Sequence, residues 1–312
     1  MPKHTHGNVL VVGSINMDVV TPIDQLPLPG ETIMAGDVQL IAGGKGANAA
    51  VAAARLGGHV HMIGAVGDDA FGNTLKANLQ NEGINCDRVA VIKDISSGTA
   101  VILLDKQSGQ NSIMVSAGAN AKVTEAKDES VYTWANVLMM QLETPVCVNV
   151  ESAKRAKQAG ITVILDPAPA ISDLPDELFA CCDILLPNET ELATLTGMDT
   201  DSIPQVVAAS KALLKRGSKH IIVTLGQRGA IWVTQDHNQH FTTMPVTPID
   251  TTAAGDSFAG ALAANLARGQ SIPESIPFAL AAGTLACTKL GAQPSIPTTD
   301  AVFAFINTSP QT

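Results

Sequence analysis

Residues 162–188 read T-V-I-L-D-P-A-P-A-I-S-D-L-P-D-E-L-F-A-C-C-D-I-L-L-P-N. Two short aliphatic runs, 162–166 and 184–186, give way to polar residues, Asp166 and Asn188. Runs of this length and β-branched content, bounded by Pro, Asp and Asn, predict buried strands. The pattern recurs outward in both directions, with strands expected at 9–13, 60–66, 137–142 and 221–225 and Ala-rich helical patterns between them. This alternation predicts an α/β fold with a Rossmann-like, mostly parallel central sheet flanked by helices. Ligands of such sheets bind beyond the carboxyl ends of the strands. The residues at those ends (Asn16 and Asp18, Gly67 to Asp69, Glu143, Asp166, Asn188 and Gly226) are therefore expected to share one crevice.

Two regions break the rhythm. Residues 18–42 contain Pro22, Pro27 and Pro29, and residues 97–116 read as strands 99–104 and 112–116 joined by a turn through Lys106 to Gly109. Together they predict a small β-sheet projecting over the crevice as a lid that excludes water. An edge extension of the main sheet is the competing reading. A small sheet with an open face also tends to pair with a copy of itself, so a homodimer through the lid is expected.

Composition bounds the function. The 312 residues are 46% hydrophobic and 15% charged, enough to bury a large core, and one principal domain over 1–312 is expected. A net charge of −10 argues against a nucleic-acid binder, whose footprint would be a basic face. Five cysteines, Cys86, Cys147, Cys181, Cys182 and Cys287, form no C-x-x-C pair, which fits a reducing compartment and makes the cytoplasm the expected location. The apolar run 9–12 is too short for a signal-peptide core, Lys3, His4 and His6 notwithstanding, and no stretch reaches the length of a membrane span. The pair His59 and His61 alternates along a strand without converging on a metal. The tail from Thr308 is expected to fray.

Residues 250–258, D-T-T-A-A-G-D-S-F, enter a helical run at Phe258, Leu262 and Leu266. Free amides at a helix N-terminus bind anions, and a carboxylate there, Asp256, suits a base beside the anion. Thr251 or Thr252 as a plain N-cap, with Asp256 as a favourable first-turn charge, explains the stretch equally well. Residues 42–48, A-G-G-K-G-A-N, open an Ala-rich helix. They are not a Walker loop, since Gln39 and Gly46 stand where Gly and Ser/Thr are needed, and no G-x-G-x-x-G dinucleotide fingerprint is present. Asn16, Asp18, Gly44, Lys45, Asn48 and Glu143 instead supply the donors and acceptors that a small polyol requires.

In the later half, P-N-E-T-E at 187–191 offers Asn188 to a ligand phosphate and Glu191 to Mg²⁺ through water, or else a capped helix start. T-L-G-Q-R-G at 224–229 forms a turn whose amides can face phosphate, or simply a tight turn into the next strand.

In chain order, G-S-I-N-M-D (13–18), A-G-G-K-G-A-N-A-A-V-A-A-A-R-L-G (42–57), G-A-V-G-D-D-A-F-G (64–72), M-Q-L-E (140–143), D-P-A-P-A (166–170), P-N-E-T-E, V-T-L-G-Q-R-G, D-T-T-A-A-G-D-S-F and G-A-Q-P-S-I-P (291–297) resemble the ribokinase-like carbohydrate kinases. The resemblance spans nearly the whole chain and is specific through its ordered succession. It implies phosphoryl transfer from ATP to the primary hydroxyl of D-ribose, with Mg²⁺ required and K⁺ as activator. By position it places the sugar against Asn16, Asp18, Gly44, Lys45, Asn48 and Glu143. It makes Asp256 the base, and Ala253, Ala254 and Gly255 the anion hole. The nucleotide falls to Asn188, Thr224, Gly226 and Gly229, and Mg²⁺ to Glu191. A K⁺ loop follows from Asp250, Thr252, Ala286, Lys289, Gly291 and Ser295. Many members of the family have Gly where this chain has Ala253, and Leu280 stands where some have a His near the adenine. Other acceptors (2-deoxyribose, a ketose, a nucleoside) and a non-catalytic sugar sensor are the rival readings. Aromatics at 3% disfavour a nucleoside, which would want stacking partners.

Overall fold

The computed structural model describes residues 7–105 and 111–308. The expected turn at Lys106 to Gly109, the N-terminal Lys3, His4 and His6, and the last four residues of the tail lie outside these. Among the described residues thirteen strands are formed: β1 (Asn8–Val12), β2 (Asn16–Ile23), β3 (Gln39–Gly43), β4 (His59–Gly67), β5 (Asn85–Ile92), β6 (Gly98–Asp105), β7 (Asn111–Ser116), β8 (Val137–Met140), β9 (Thr162–Leu165), β10 (Ile184–Leu185), β11 (His220–Thr224), β12 (Ala230–Val233) and β13 (Asn238–Phe241). Among the helices, α1 (Lys45–Arg55), α2 (Ala70–Asn81), α3 (Ser130–Trp134), α4 (Val146–Ala159), α5 (Asp176–Cys181), α6 (Glu189–Thr196) and α7 (Ile203–Leu214) precede α8 (Ala254–Ala267), α9 (Ile272–Ala286), α10 (Ala292–Ser295) and α11 (Thr299–Thr308).

Nine strands make the central sheet in the order β13-β12-β11-β10-β9-β8-β1-β4-β5, parallel from β11 to β5, with β12 and β13 antiparallel at one edge. Alternation along each strand feeds two cores. Val9 and Val11 of β1 and Val137 and Met139 of β8 join one cluster with α1, α8 and α9, while Leu10, Val12, Leu138 and Met140 join the other with α4, α5 and α7. Strands apolar on both faces are what a sheet covered by helices on both sides requires. The expected strands other than β4 end one or two residues early, with Gln141, Asp166 and Leu225 already in the loops, while β4 runs one residue past its expected bounds at each end.

The four strands β3-β2-β6-β7 form a separate mixed sheet. The lid expectation holds, and an edge extension of the main sheet is excluded. One placement differs: Asn16 and Asp18 sit on β2 of this second sheet rather than in a loop after β1. A second concerns Asp69, expected to face the crevice. Its carboxylate instead caps α2, accepting Gly72 N at 2.7 Å, and also accepts the amide and hydroxyl of Ser97 at 2.8 and 2.6 Å.

Helices α1 and α8 cross almost in backbone contact. A Cβ on Gly260 would stand 2.5 Å from Ala52 Cβ and 2.6 Å from Ala49 O, and one on Gly46 would stand 2.6 Å from Gly13 and Ser14 backbone atoms. The Ala-rich sequence of α1 is what permits this approach.

Candidate active site

A cavity of about 410 Å³ opens beyond the carboxyl ends of the strands. It is lined by all six expected sugar residues and by Asp256, Ala253, Gly255, Asn188, Glu191, Thr224 and Thr252. A second cavity of about 350 Å³ shares Asn188, Thr224 and Gly255 with the first and adds Gly226, Gly229, Ala254 and Leu280. The sugar and nucleotide candidates are thus contiguous, and they meet at the start of α8.

That helix start has an unusual build. Its N-cap is Ala253, in left-handed conformation with φ 59°, and no side chain caps the turn. The simpler reading, with Thr251 or Thr252 as cap, is therefore overturned: Thr252 turns its amide and hydroxyl to Asp250 Oδ1 at 2.9 and 2.6 Å. A positive φ disfavours any residue with a Cβ, which explains why Gly is common at this place in the resembling family. The amides of Gly255 and Asp256, at the second and third helical positions, are left to face the cavity.

Asp256 is buried, and its Oδ2 accepts from Asn48 Nδ2 at 2.8 Å. Asn48 Oδ1, in a residue only 5% exposed, has no hydrogen-bond partner, an orphan acceptor that a ligand hydroxyl would satisfy. Ser14, given no role by its sequence, donates to Glu143 Oε2 at 2.5 Å while the same oxygen accepts Lys45 N at 3.1 Å. Glu143 is thereby fixed against the start of α1.

The charges are lopsided. Among the described residues Lys45 is the single cationic side chain of the lining, against the carboxyls of Asp18, Glu143, Asp166, Glu191 and Asp256. Burial lowers the affinity of Lys45 for its proton, but Asp256, Asp166, Glu143 and Glu191 outweigh it and hold the ammonium well above its usual range. Burial pushes Asp18 up to about 7, helped by Glu143 and Asp256. It pushes Asp166 up to about 8 against the pull of Lys45. Asp256 is raised by burial too, with Lys45 and Asn48 opposing. Asp166 was legible as a strand-end acid, but its place beside Lys45 was not.

In the nucleotide half, an isolated parallel bridge joins Asn188 to Thr224, and Thr224 N donates to Pro187 O at 3.0 Å. Asn188 and Glu191 form the reciprocal capping box of α6, at 2.8 Å in both directions. The structural alternative is thus realised, yet both residues also line the cavity. Gly226 and Gly229 take positive φ in the turn around the 3-10 segment Gly226–Arg228. Of the cation-loop candidates, Asp250 joins Thr252 to Gly291, whose amide reaches Asp250 Oδ2 at 2.9 Å. Ile249 N and Asp250 N donate to Cys287 O, between Ala286 and Lys289. Ser295 closes α10 by donating to Ala292 O at 2.7 Å. Among the described residues, no group of three or more His, Cys, Asp or Glu converges on a metal-sized point, and no helix is long and apolar enough to cross a membrane.

Phosphate-suited helix and loop amides, a buried acid and a polyol-type lining on this fold define a sugar-phosphorylating site. The model of the pfkB family carbohydrate kinases matches residues 7–299, and the chain belongs to that family. It is a ribokinase-type phosphotransferase, which sets aside the sensor reading. The structure of Arabidopsis thaliana ribokinase complexed with ribose and ATP superposes with a TM-score of 0.91 at 36% identity, covering 97% of this chain and 100% of that one. A deoxyribokinase of Salmonella typhi is 37% identical over 294 residues, 93% of this chain and 95% of the relative. The chain is also 40% identical to a bifunctional ribokinase/ribose-5-phosphate isomerase A of Fructilactobacillus sanfranciscensis, covering 96% of this chain but spanning only 56% of that protein's length.

Because the Asp18 carboxyl binds its proton more tightly folded (about 7) than unfolded (3.8), its contribution to stability is complete below pH 3.8 and is lost as pH rises through about 7. Asp18→Asn is therefore expected to stabilise the ligand-free protein at pH 8, by about 1–4 kcal/mol. That gain should shrink toward zero near pH 4. Thermal unfolding at the two pH values measures this; an equal gain at both contradicts it.

Proposed function

We propose that the chain transfers the γ-phosphoryl group of ATP to O5 of D-ribose, giving D-ribose 5-phosphate and ADP. The observation that carries this reading is the uncapped start of α8, with Asp256 beside it, at the junction of the polyol-lined and nucleotide-suited cavities. Asn16, Asp18, Lys45, Asn48 and Glu143 hold the sugar, with Gly44 letting backbone approach it. Asp256 takes the proton of the attacking hydroxyl as the new P–O bond forms and ADP departs. The hydroxyl becomes strongly acidic only at that stage, so a carboxylate is base enough. The amides around Ala253, Ala254 and Gly255 receive the charge that builds on the transferred group. Lid strands β2 and β6 keep water from the phosphoryl acceptor site.

Asn188, Thr224, Gly226 and Gly229 hold the nucleotide. Glu191, and Asp166 across the cavity, are oxygen donors of the hard type that Mg²⁺ takes, and with five acids against one lysine the site suits a polyanionic nucleotide only with such a cation. When bound, Mg²⁺ would neutralise phosphate charge. The carboxylate of Asp250 is spent on Thr252 and Gly291, so K⁺ in this loop would rest mainly on the carbonyls around Ala286, Lys289, Gly291 and Ser295 and stiffen the anion hole from below. The exposed lid residues Leu40, Ile113, Met114 and Val115 support a homodimer through the lid, which sedimentation would show as twice the chain mass. A monomer at micromolar concentration would count against it.

The deoxyribokinase relative makes 2-deoxyribose the serious rival acceptor. Asn16 and Asp18, both in the cavity wall, favour ribose, since a missing hydroxyl leaves buried polar groups unpaired. In a coupled ADP-release assay over ribose, 2-deoxyribose, fructose and ribonucleosides, ribose is expected to give the highest kcat/KM. Exchanging K⁺ for tetramethylammonium is expected to lower the rate; an unchanged rate removes the K⁺ loop from the proposal. In the same assay Asp256→Asn is expected to lower kcat by at least ~10²-fold with little change in sugar KM. Near-normal turnover would end its assignment as base.

A further inference from the structure

Asn120 belongs to none of the motifs given a role above. It lies in the 3-10 turn Gly118–Lys122 that follows the lid strand β7, and it is 1% exposed. Its Oδ1 accepts the Ile15 amide at 2.9 Å. Its Nδ2 donates to Ile15 O at 3.2 Å and to Asn16 Oδ1 at 2.7 Å. A backbone N–H can only donate and a backbone carbonyl can only accept, so Ile15 alone dictates which end of the Asn120 amide points which way. The Nδ2 end so fixed faces Asn16 and takes its oxygen. Asn16 Nδ2, with no hydrogen bond to a described residue, is the end left for the cavity that Asn16 lines. Both amides lie close over Gly98 of β6, where a Cβ would stand 2.1 Å from Asn120 Nδ2 and 2.2 Å from Asn16 Oδ1.

We infer that Asn120 is the positioning residue that makes Asn16 a hydrogen-bond donor toward the sugar, and so selects an acceptor with a hydroxyl at that point. The inference rests on the sugar site proposed above. Asp18 stands two residues on along the same face of β2, and Asn48 adds an acceptor in Oδ1, its Nδ2 being held by Asp256. One sugar hydroxyl can accept from Asn16 Nδ2 and pass its own hydrogen to Asp18. A group that is only a donor, or only an acceptor, cannot satisfy both neighbours.

Asn120→Asp keeps the oxygen that accepts Ile15 N but replaces the donor facing Asn16 with a second acceptor, so Asn16 turns its oxygen to the cavity. Ribose KM is expected to rise about 10- to 100-fold, the range for a buried polar group left mispaired, with ATP KM within about twofold of the parent. The double variant Asn16→Ala with Asn120→Asp should match Asn16→Ala alone, since Asn120 acts through Asn16. Of 2-deoxyribose and 3-deoxyribose, the one lacking the hydroxyl in question should show no added penalty from Asn120→Asp. A merely structural role would lower the apparent kcat through the folded fraction, or raise both KM values together by a general distortion of the site, and leave the double variant additive, and either pattern overturns the inference. Should Asn120→Asp not fold, Asn120→Ser, too short to reach Asn16, carries the test: an unchanged ribose KM overturns the inference, and a rise that vanishes in the Asn16→Ala background supports it. If the parent chain phosphorylates and binds no pentose at all, the proposed function falls first and this inference with it. Ribose turnover in the parent with a normal KM in both variants overturns the role of Asn120 alone.

Discussion

The near-contact of α1 with α8 is the constraint on which the site depends. With glycine at 260 and alanines at 49, 52 and 53, the two helix backbones approach until no side chain separates them. Their N-termini are then held side by side at the end of the sheet. One carries Lys45 and Asn48, the other Asp256, and the 2.8 Å bond between Asn48 and Asp256 measures how closely the two ends are set. Larger residues along the crossing would force the two helices apart. The small-residue composition of α1, which reads as mere core, is in this sense a specification of distance.

Against that scaffold the chain stores unfavourable electrostatics. Several acids are buried around one lysine, and burial raises the proton affinity of Asp18, Asp166 and Asp256. A helix N-terminus is left without a cap, and an alanine is held at positive φ. Each is a local cost that folding alone would avoid. The raised acids and the alanine held at positive φ gather at one end of the sheet, which separates the site from the rest of the fold.

Much of this was legible in the residues. The central strands declared themselves because they are buried on both faces and so read as continuous aliphatic runs. The six polyol residues and Asp256 converged as expected because each stands at a strand or helix end. What stayed hidden has physical reasons. Only three residues separate the end of β1 from the start of β2, too few for periodicity to reveal that the chain has passed into another sheet. Ala253 adopts a conformation that an alanine seldom takes, so Thr251 or Thr252 as cap explained the stretch as well as an open helix end did. Asp166 was visible as an acid at a strand end, but its shared field with Lys45 and Asp256 is a product of tertiary packing. Asn120 and Ser14 act on residues more than a hundred positions away, and hydrogen bonds to a backbone amide or a distant carboxylate leave no spacing to read.

The crowd of carboxyls around Lys45 also treats the two sides of a phosphorylation unequally. An uncharged sugar enters without opposition, since acids and amides can bond its hydroxyls whatever their own protonation. A sugar that bears a phosphate meets in addition the charge of whichever acids are ionised, and in a partly buried site such repulsion is felt more strongly than in water. The lining therefore favours a neutral sugar over an anionic one wherever neither Lys45 nor a bound cation offsets the acids.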